Sequence, residues 1–204
     1  MLIAHGLEFK DLVGVEWDAS FDTMVLPTAD DVIAFWREAG ADKWFARDDE
    51  FDRSIRARFL ELLQAAGRGD LAGWEETPNG ALALTIVLDQ FPRNLFRGTA
   101  RSYEADAQAR GVTTRALARG FHHRCDQELM AFLYMPLAHS EDLADQEQAV
   151  ALFEALNIEE NLRSAREHRD IIARFGRFPH RNTVLGRAMT PEEQAFLDQG
   201  GFSG

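Results

Sequence analysis

From Thr28 to the C-terminus the apolar residues recur at intervals of three and four, the spacing of one face of an α-helix. No β-rich run of strand length returns between these stretches, so the chain is expected to be all-α with short connections. The most demanding stretch is Ala81 to Leu88, apolar on every side and opened by Thr77-Pro78. A helix of that kind must be buried on most of its surface, so other helices have to surround it. At 204 residues one core of that size is within reach.

The helix boundaries follow from local chemistry. Thr28 with Asp30 and Asp31 reads as a capped start, and Gly40 as the end of that helix. Phe51, Ile55, Phe59, Leu62 and Leu63 form the next face, stopped at Gly67 and Gly69. Further helices are predicted over about Ser102–Arg119, Asp126–Ala138, and from a Ser140 cap through Phe153. The last two span Glu159–Phe175, closed by Gly176, and a short piece opened by Thr190-Pro191. Ahead of them, Val13, Val15 and Trp17 alternate with polar residues or glycine, which predicts a short β-like segment. Residues 1–27 are therefore expected to form an N-terminal extension, and 28–204 one helical domain. Met24, just before the first helix, is an alternative start.

Two segments read alike: DQFPRNLFRG from Asp89 and GRFPHRNTVLGR from Gly176. Each follows a helix and is expected to break it at Phe-Pro, because proline lacks the N–H and restricts its predecessor. The repetition predicts an array of helical hairpins whose two Phe-Pro junctions lie close together.

Charge and composition limit the partners. A formal net charge of −12 opposes a sequence-independent grip on nucleic acid or an anionic membrane. No apolar run is long enough to span a bilayer. The lone Cys125 has no internal disulfide partner, and the expected compartment is the cytoplasm. Known motif classes are missing. There is no G-x-S-x-G, no H-E-x-x-H or E-x-x-H, and neither Lys10 nor Lys43 stands in a phosphate-loop context. No cofactor is implied.

What stands out is a set of ionisable residues at helix ends. Asp89 closes the apolar run near the negative end of its helix, where a carboxylate needs a cation or several donors. Arg93 lies one turn on, and an arginine fork suits a carboxylate. His168 shares a face with Ile171, Ile172 and Phe175. His139 ends an apolar helix, and Arg177, His180 and Arg181 sit in the second Phe-Pro segment. Convergence of Asp89, Arg93, His139, His168, Arg177, His180 and Arg181 would make one polar pocket. Three uses are open. The pocket could bind an anionic small molecule or peptide end. It could be catalytic, with His139, His168 or His180 as acid or base and arginines clamping a carboxylate or phosphate. It could hold a metal on His139, His168 and Asp142. The sequence offers no nucleophile, so binding leads, and the same residues can instead serve as structural salt bridges.

Four motifs carry a resemblance: FDRSIRARF (Phe51–Phe59), LDQFPRNLFRG (Leu88–Gly98), HSEDLADQE (His139–Glu147) and HRDIIARFGRFPHRN (His168–Asn182). By these the chain resembles the bacterial DUF924 family from about Asp31 to Leu197. Arg37, where an aromatic would be expected, and Ala138, where a larger residue is common, depart from the pattern. The resemblance implies a TPR-like stack of antiparallel helices and brings no activity, substrate or cofactor.

Overall fold

The computed structural model describes residues 25–202, and among them every regular element is helical. The β-like segment expected at Val13–Trp17, most of the N-terminal extension and the alternative start at Met24 lie outside the described residues. Ten α-helices follow one another: α1 (Ala29–Ala39), α2 (Ala41–Trp44), α3 (Asp49–Arg68), α4 (Pro78–Thr85), α5 (Phe91–Leu95), α6 (Asp106–Ala118), α7 (Met130–Ala138), α8 (Leu143–Leu156), α9 (Glu159–Phe175) and α10 (Pro191–Asp198). None is long and apolar enough to cross a membrane.

The caps expected from sequence form. Thr28 and Asp31 exchange hydrogen bonds as a capping box, as do Thr190 and Glu193. Thr77 caps α4 with Pro78 in its first turn. At the C-terminus of α9, Gly176 takes the left-handed conformation, φ 67°.

Helix α4 is the centre of the molecule. Its residues from Gly80 to Thr85 are all buried, and it packs on α1, α6 and α7. Around it Trp36 of α1 lies edge-on to Phe132 and near Phe91, while Phe59 of α3 lies 5.1 Å from Phe91. A smaller cluster of Ile171, Ile172 and Phe178, with Phe175, Phe196 and Phe202 against it, forms at the C-terminal end. The helical order, with α7 on α8 and α8 on α9, is compatible with a TPR-like stack.

Three boundaries differ from the periodicity. The helix expected from Ser102 starts at Asp106; the chain first makes a 3₁₀ turn at Ala100–Tyr103, where the Ser102 hydroxyl donates to the Phe96 carbonyl at 2.6 Å. The helix expected from Asp126 starts at Met130, because the Asp126 carboxylate accepts the amides of Glu128 and Leu129 and holds a turn. The cap of α8 is Asp142 rather than Ser140; Ser140 instead accepts the Asp142 amide and donates to Asp145.

The two Phe-Pro segments also part company. At Phe178-Pro179 the chain has already left α9 at Gly176 and makes a 3₁₀ turn. At Phe91-Pro92 the helix does not break. Residues Ile86–Gln90 widen into a π turn, with the Phe91 amide donating to the Ile86 carbonyl, and α5 continues through Pro92. Because the bonding register has already shifted there, Pro92 costs no regular i→i−4 bond.

Candidate functional site

Asp89 sits in the π turn and is fully buried. Turns of this type inside α-helices frequently occur at functional sites. Its carboxylate faces Nδ1 of His139, at 2.8 and 3.0 Å from the two oxygens. The Gln90 amide donates to it at 2.6 Å, and Arg93 approaches at 3.2 Å. Burial pushes the Asp89 carboxyl up, but the Arg93 guanidinium and then His139 more than reverse this and hold it well below the usual carboxylate range. It is therefore a carboxylate at neutral pH and can only accept, so His139 carries its proton on Nδ1. Burial and the nearby Arg93 charge lower His139, outweighing Asp89, so the imidazole is neutral. Its side chain is 19% exposed, and among the described residues nothing bonds to Nε2.

Arg93 turns its fork to Asp106, with bonds of 2.9 and 3.0 Å. Arg181 reaches the same carboxylate at 3.6 Å and donates from Nη2 to the His139 carbonyl. Its guanidinium carbon lies over the rings of Tyr103 and Phe178, 4.6 and 4.5 Å from their centres. Only 7% of Arg181 is exposed, and among the described residues its Nε has no partner. Burial and the Arg93 charge both press against its protonated form.

His168 and His180 stand beside this group, on the aromatic wall of Phe178 and Phe202. The Ala138 carbonyl accepts from His168 Nδ1 at 3.1 Å, which leaves the Nε2 lone pair free. Burial, then His139, pushes His168 down to about 3; burial, then Arg181, pushes His180 down to about 4. Both rings are neutral at pH 7, and His180 Nδ1 is buried with no partner among the described residues.

Six of the seven residues picked out from sequence thus lie in one region, where the main core meets the small C-terminal cluster. Arg177 does not join them. Its fork grips Glu193 of α10 at 2.6 and 2.9 Å and donates to the Ala188 carbonyl, so it fastens the last helix. The metal arrangement fails as well. The Asp142 carboxylate is turned away to cap α8, which takes the expected third ligand from His139 and His168. No group of three or more metal-ligating side chains exists among the described residues.

Sequence reasoning missed Asp106, the carboxylate shared by Arg93 and Arg181. With the helix expected to start at Ser102, nothing in the local sequence marked Asp106, which the structure places in the first turn of α6. Also missed was Glu141, which takes Arg187 bidentately and the Phe178 amide, fixing the second Phe-Pro turn. Counting Arg93, Arg181 and Arg187 against Asp89, Asp106 and Glu141, the region is formally neutral. What it offers a ligand is not surplus charge but unused polar atoms on Arg181, His139 and His180.

The family model for DUF924, bacterial protein of unknown function, matches residues 32–201. A solved structure titled as a protein of unknown function, ATU0120, from Agrobacterium tumefaciens is 46% identical, with a TM-score of 0.82 over 84% of this chain and 97% of that one. No curated protein matches. With all four quoted motifs inside the matched span, the chain belongs to the DUF924 family of bacterial proteins.

Proposed function

We propose that the chain recognises a small anion, a carboxylate or phosphate, at the polar region around His139 and Arg181. One observation carries this reading: Arg181 is buried, and among the described residues its Nε has no partner and its nearest carboxylate is 3.6 Å away and already gripped by Arg93. A buried guanidinium lacking a full counter-ion is costly, and an incoming anion relieves that cost. Residues 28–204 would act as one helical domain, in the cytoplasm. The test is thermal unfolding with phosphate, acetate and citrate at fixed ionic strength. Wild type should gain melting temperature with the anion, and Arg181→Ala should gain clearly less. Arg181→Lys, which keeps the charge but loses the fork, should respond weakly. No shift in wild type at millimolar anion ends this reading.

A second reading rests on the Asp89–His139 pair. A buried carboxylate that fixes the tautomer of a neutral imidazole with a free Nε2 is an arrangement suited to general acid–base work. It would be supported by turnover of a carboxylate or phosphate ester that disappears in His139→Gln while the anion-induced stabilisation remains.

A further inference from the structure

A second polar concavity lies away from this region, between the first half of α3 and the end of α5, with a volume of about 330 Å³. Most of it is formed by two motifs noted in the sequence, FDRSIRARF and LDQFPRNLFRG, with Arg47 and Asp49 from the segment just before them. Asp52 is its keystone. Both its oxygens are occupied, by Arg97 at 2.9 and 3.1 Å and by the buried Asn94 amide at 2.7 Å. Arg56 is fixed on the other side, donating from Nη2 to the Leu95 carbonyl at 2.8 Å. Arg97 and Arg56 are therefore held in place with donors to spare.

Two further arginines complete the lining. Arg47 meets Asp49 only at 3.5 Å, and Arg53 has no carboxylate within ion-pair distance among the described residues. Asp48 lies near Arg53, but its carboxylate is engaged by the Glu50 and Phe51 amides as the cap of α3. Asp48 keeps its charge, so the four arginines against Asp48, Asp49 and Asp52 leave one positive charge in excess. On a chain of net charge −12 such a local excess is a short-range feature that the global field does not cancel.

We propose that this groove binds the phosphate group of a small phosphate monoester. The local positive excess suits a phosphate monoester, which carries about −1.5 to −2 at neutral pH. Tetrahedral oxygens can accept from several guanidinium groups at once, and two of the four forks are already oriented, which lowers the ordering cost of binding. The site shares no residue with the His139–Arg181 region, so the two proposals stand or fall separately.

The experiment is a titration of ¹⁵N-labelled protein with inorganic phosphate and with phenyl phosphate, at fixed ionic strength and near neutral pH, following backbone amides and arginine Nε–H signals. The expected result is a saturable shift at residues 47–56 and 94–97, weakened roughly tenfold in Arg53→Ala and unchanged in Arg181→Ala. Arg53 makes no contact that the fold needs, so that variant keeps its structure. Tighter saturation by phenyl phosphate than by inorganic phosphate marks the ester as the ligand class, whereas tighter binding of inorganic phosphate overturns that part of the proposal. Shifts that never saturate, that saturate equally in Arg53→Ala, or that are confined to the surroundings of His139 and Arg181 overturn the site.

Discussion

His139 presents Nδ1 to both carboxylate oxygens of Asp89, two residues 50 positions apart in the chain. The pair closes the contact between the π turn after α4 and the end of α7, and Arg93 joins it from one turn further along. Removing the charge tests how much it contributes. Asp89→Asn leaves Arg93 and Arg181 with Asp106 alone, and urea unfolding should show a loss of about 3–5 kcal/mol. His139→Gln should cost less, because the histidine is neutral and only hydrogen bonds are lost. A double-mutant cycle should give a coupling above about 0.5 kcal/mol; strict additivity would show the two do not act together.

The histidines set an acid limit above the carboxylate range. His168 titrates at about 3 and His180 at about 4 in the folded chain, both below the ordinary 6.5 of an exposed imidazole. Between those values the unfolded chain binds more protons, so the stability they contribute is complete above about pH 6.5 and is lost as pH falls toward their folded values. Asp89, also depressed, adds a loss only below about pH 4. Denaturation midpoints should decline from pH 7 to pH 4, and His168→Gln should flatten that decline. A profile level down to pH 4 would contradict the neutral, buried histidines.

Gly80 touches the turn that precedes α4. A Cβ there would meet the Trp74 carbonyl oxygen and carbon and the Thr77 hydroxyl, much of it backbone that cannot step aside. Gly80→Ala should destabilise by about 1–3 kcal/mol, although alanine favours helices elsewhere. A chemical melt showing equal or greater stability would mean that the turn shifts freely.

Arg177 separates fastening from recognition. Arg177→Ala removes the fork that holds Glu193 near pKa 2, so the carboxyl should move up and α10 should loosen. Amide exchange in Pro191–Asp198 should accelerate, while any anion-induced rise in melting temperature stays as in wild type. Loss of that rise would place Arg177 in the recognition site after all.

Cys125 should be inert. Burial pushes its thiol up to about 11, and Sγ lies 3.7 Å from the His122 carbonyl. Alkylation near pH 8 should be slow in the folded chain and become fast in denaturant. Rapid labelling without denaturant would show that the segment around it opens.

The sequence by itself determined the longer helices and most of their ends, though not the short α2 and α5. Capping is a matter of neighbours three or four residues apart, so Thr28, Thr77, Thr190 and Gly176 act as their local chemistry dictates. It also marked Asp89 as a carboxylate in need of partners, because a charge that ends an apolar helix is anomalous wherever the helix lies. Arg93, one turn on, was legible as one partner; the Gln90 amide and His139, 50 positions away, were not. The π turn arises where the end of α4 packs against its neighbours, and it carries the chain through Pro92, which read locally as a stop. Asp106 became the shared counter-ion of Arg93 and Arg181 only because α6 and the second Phe-Pro turn dock at one place. Arg177, four positions from Arg181, was drawn instead to Glu193 on α10. Ion pairing depends on distances of a few ångströms between segments far apart in the chain, and those distances are fixed by core packing rather than by local propensity.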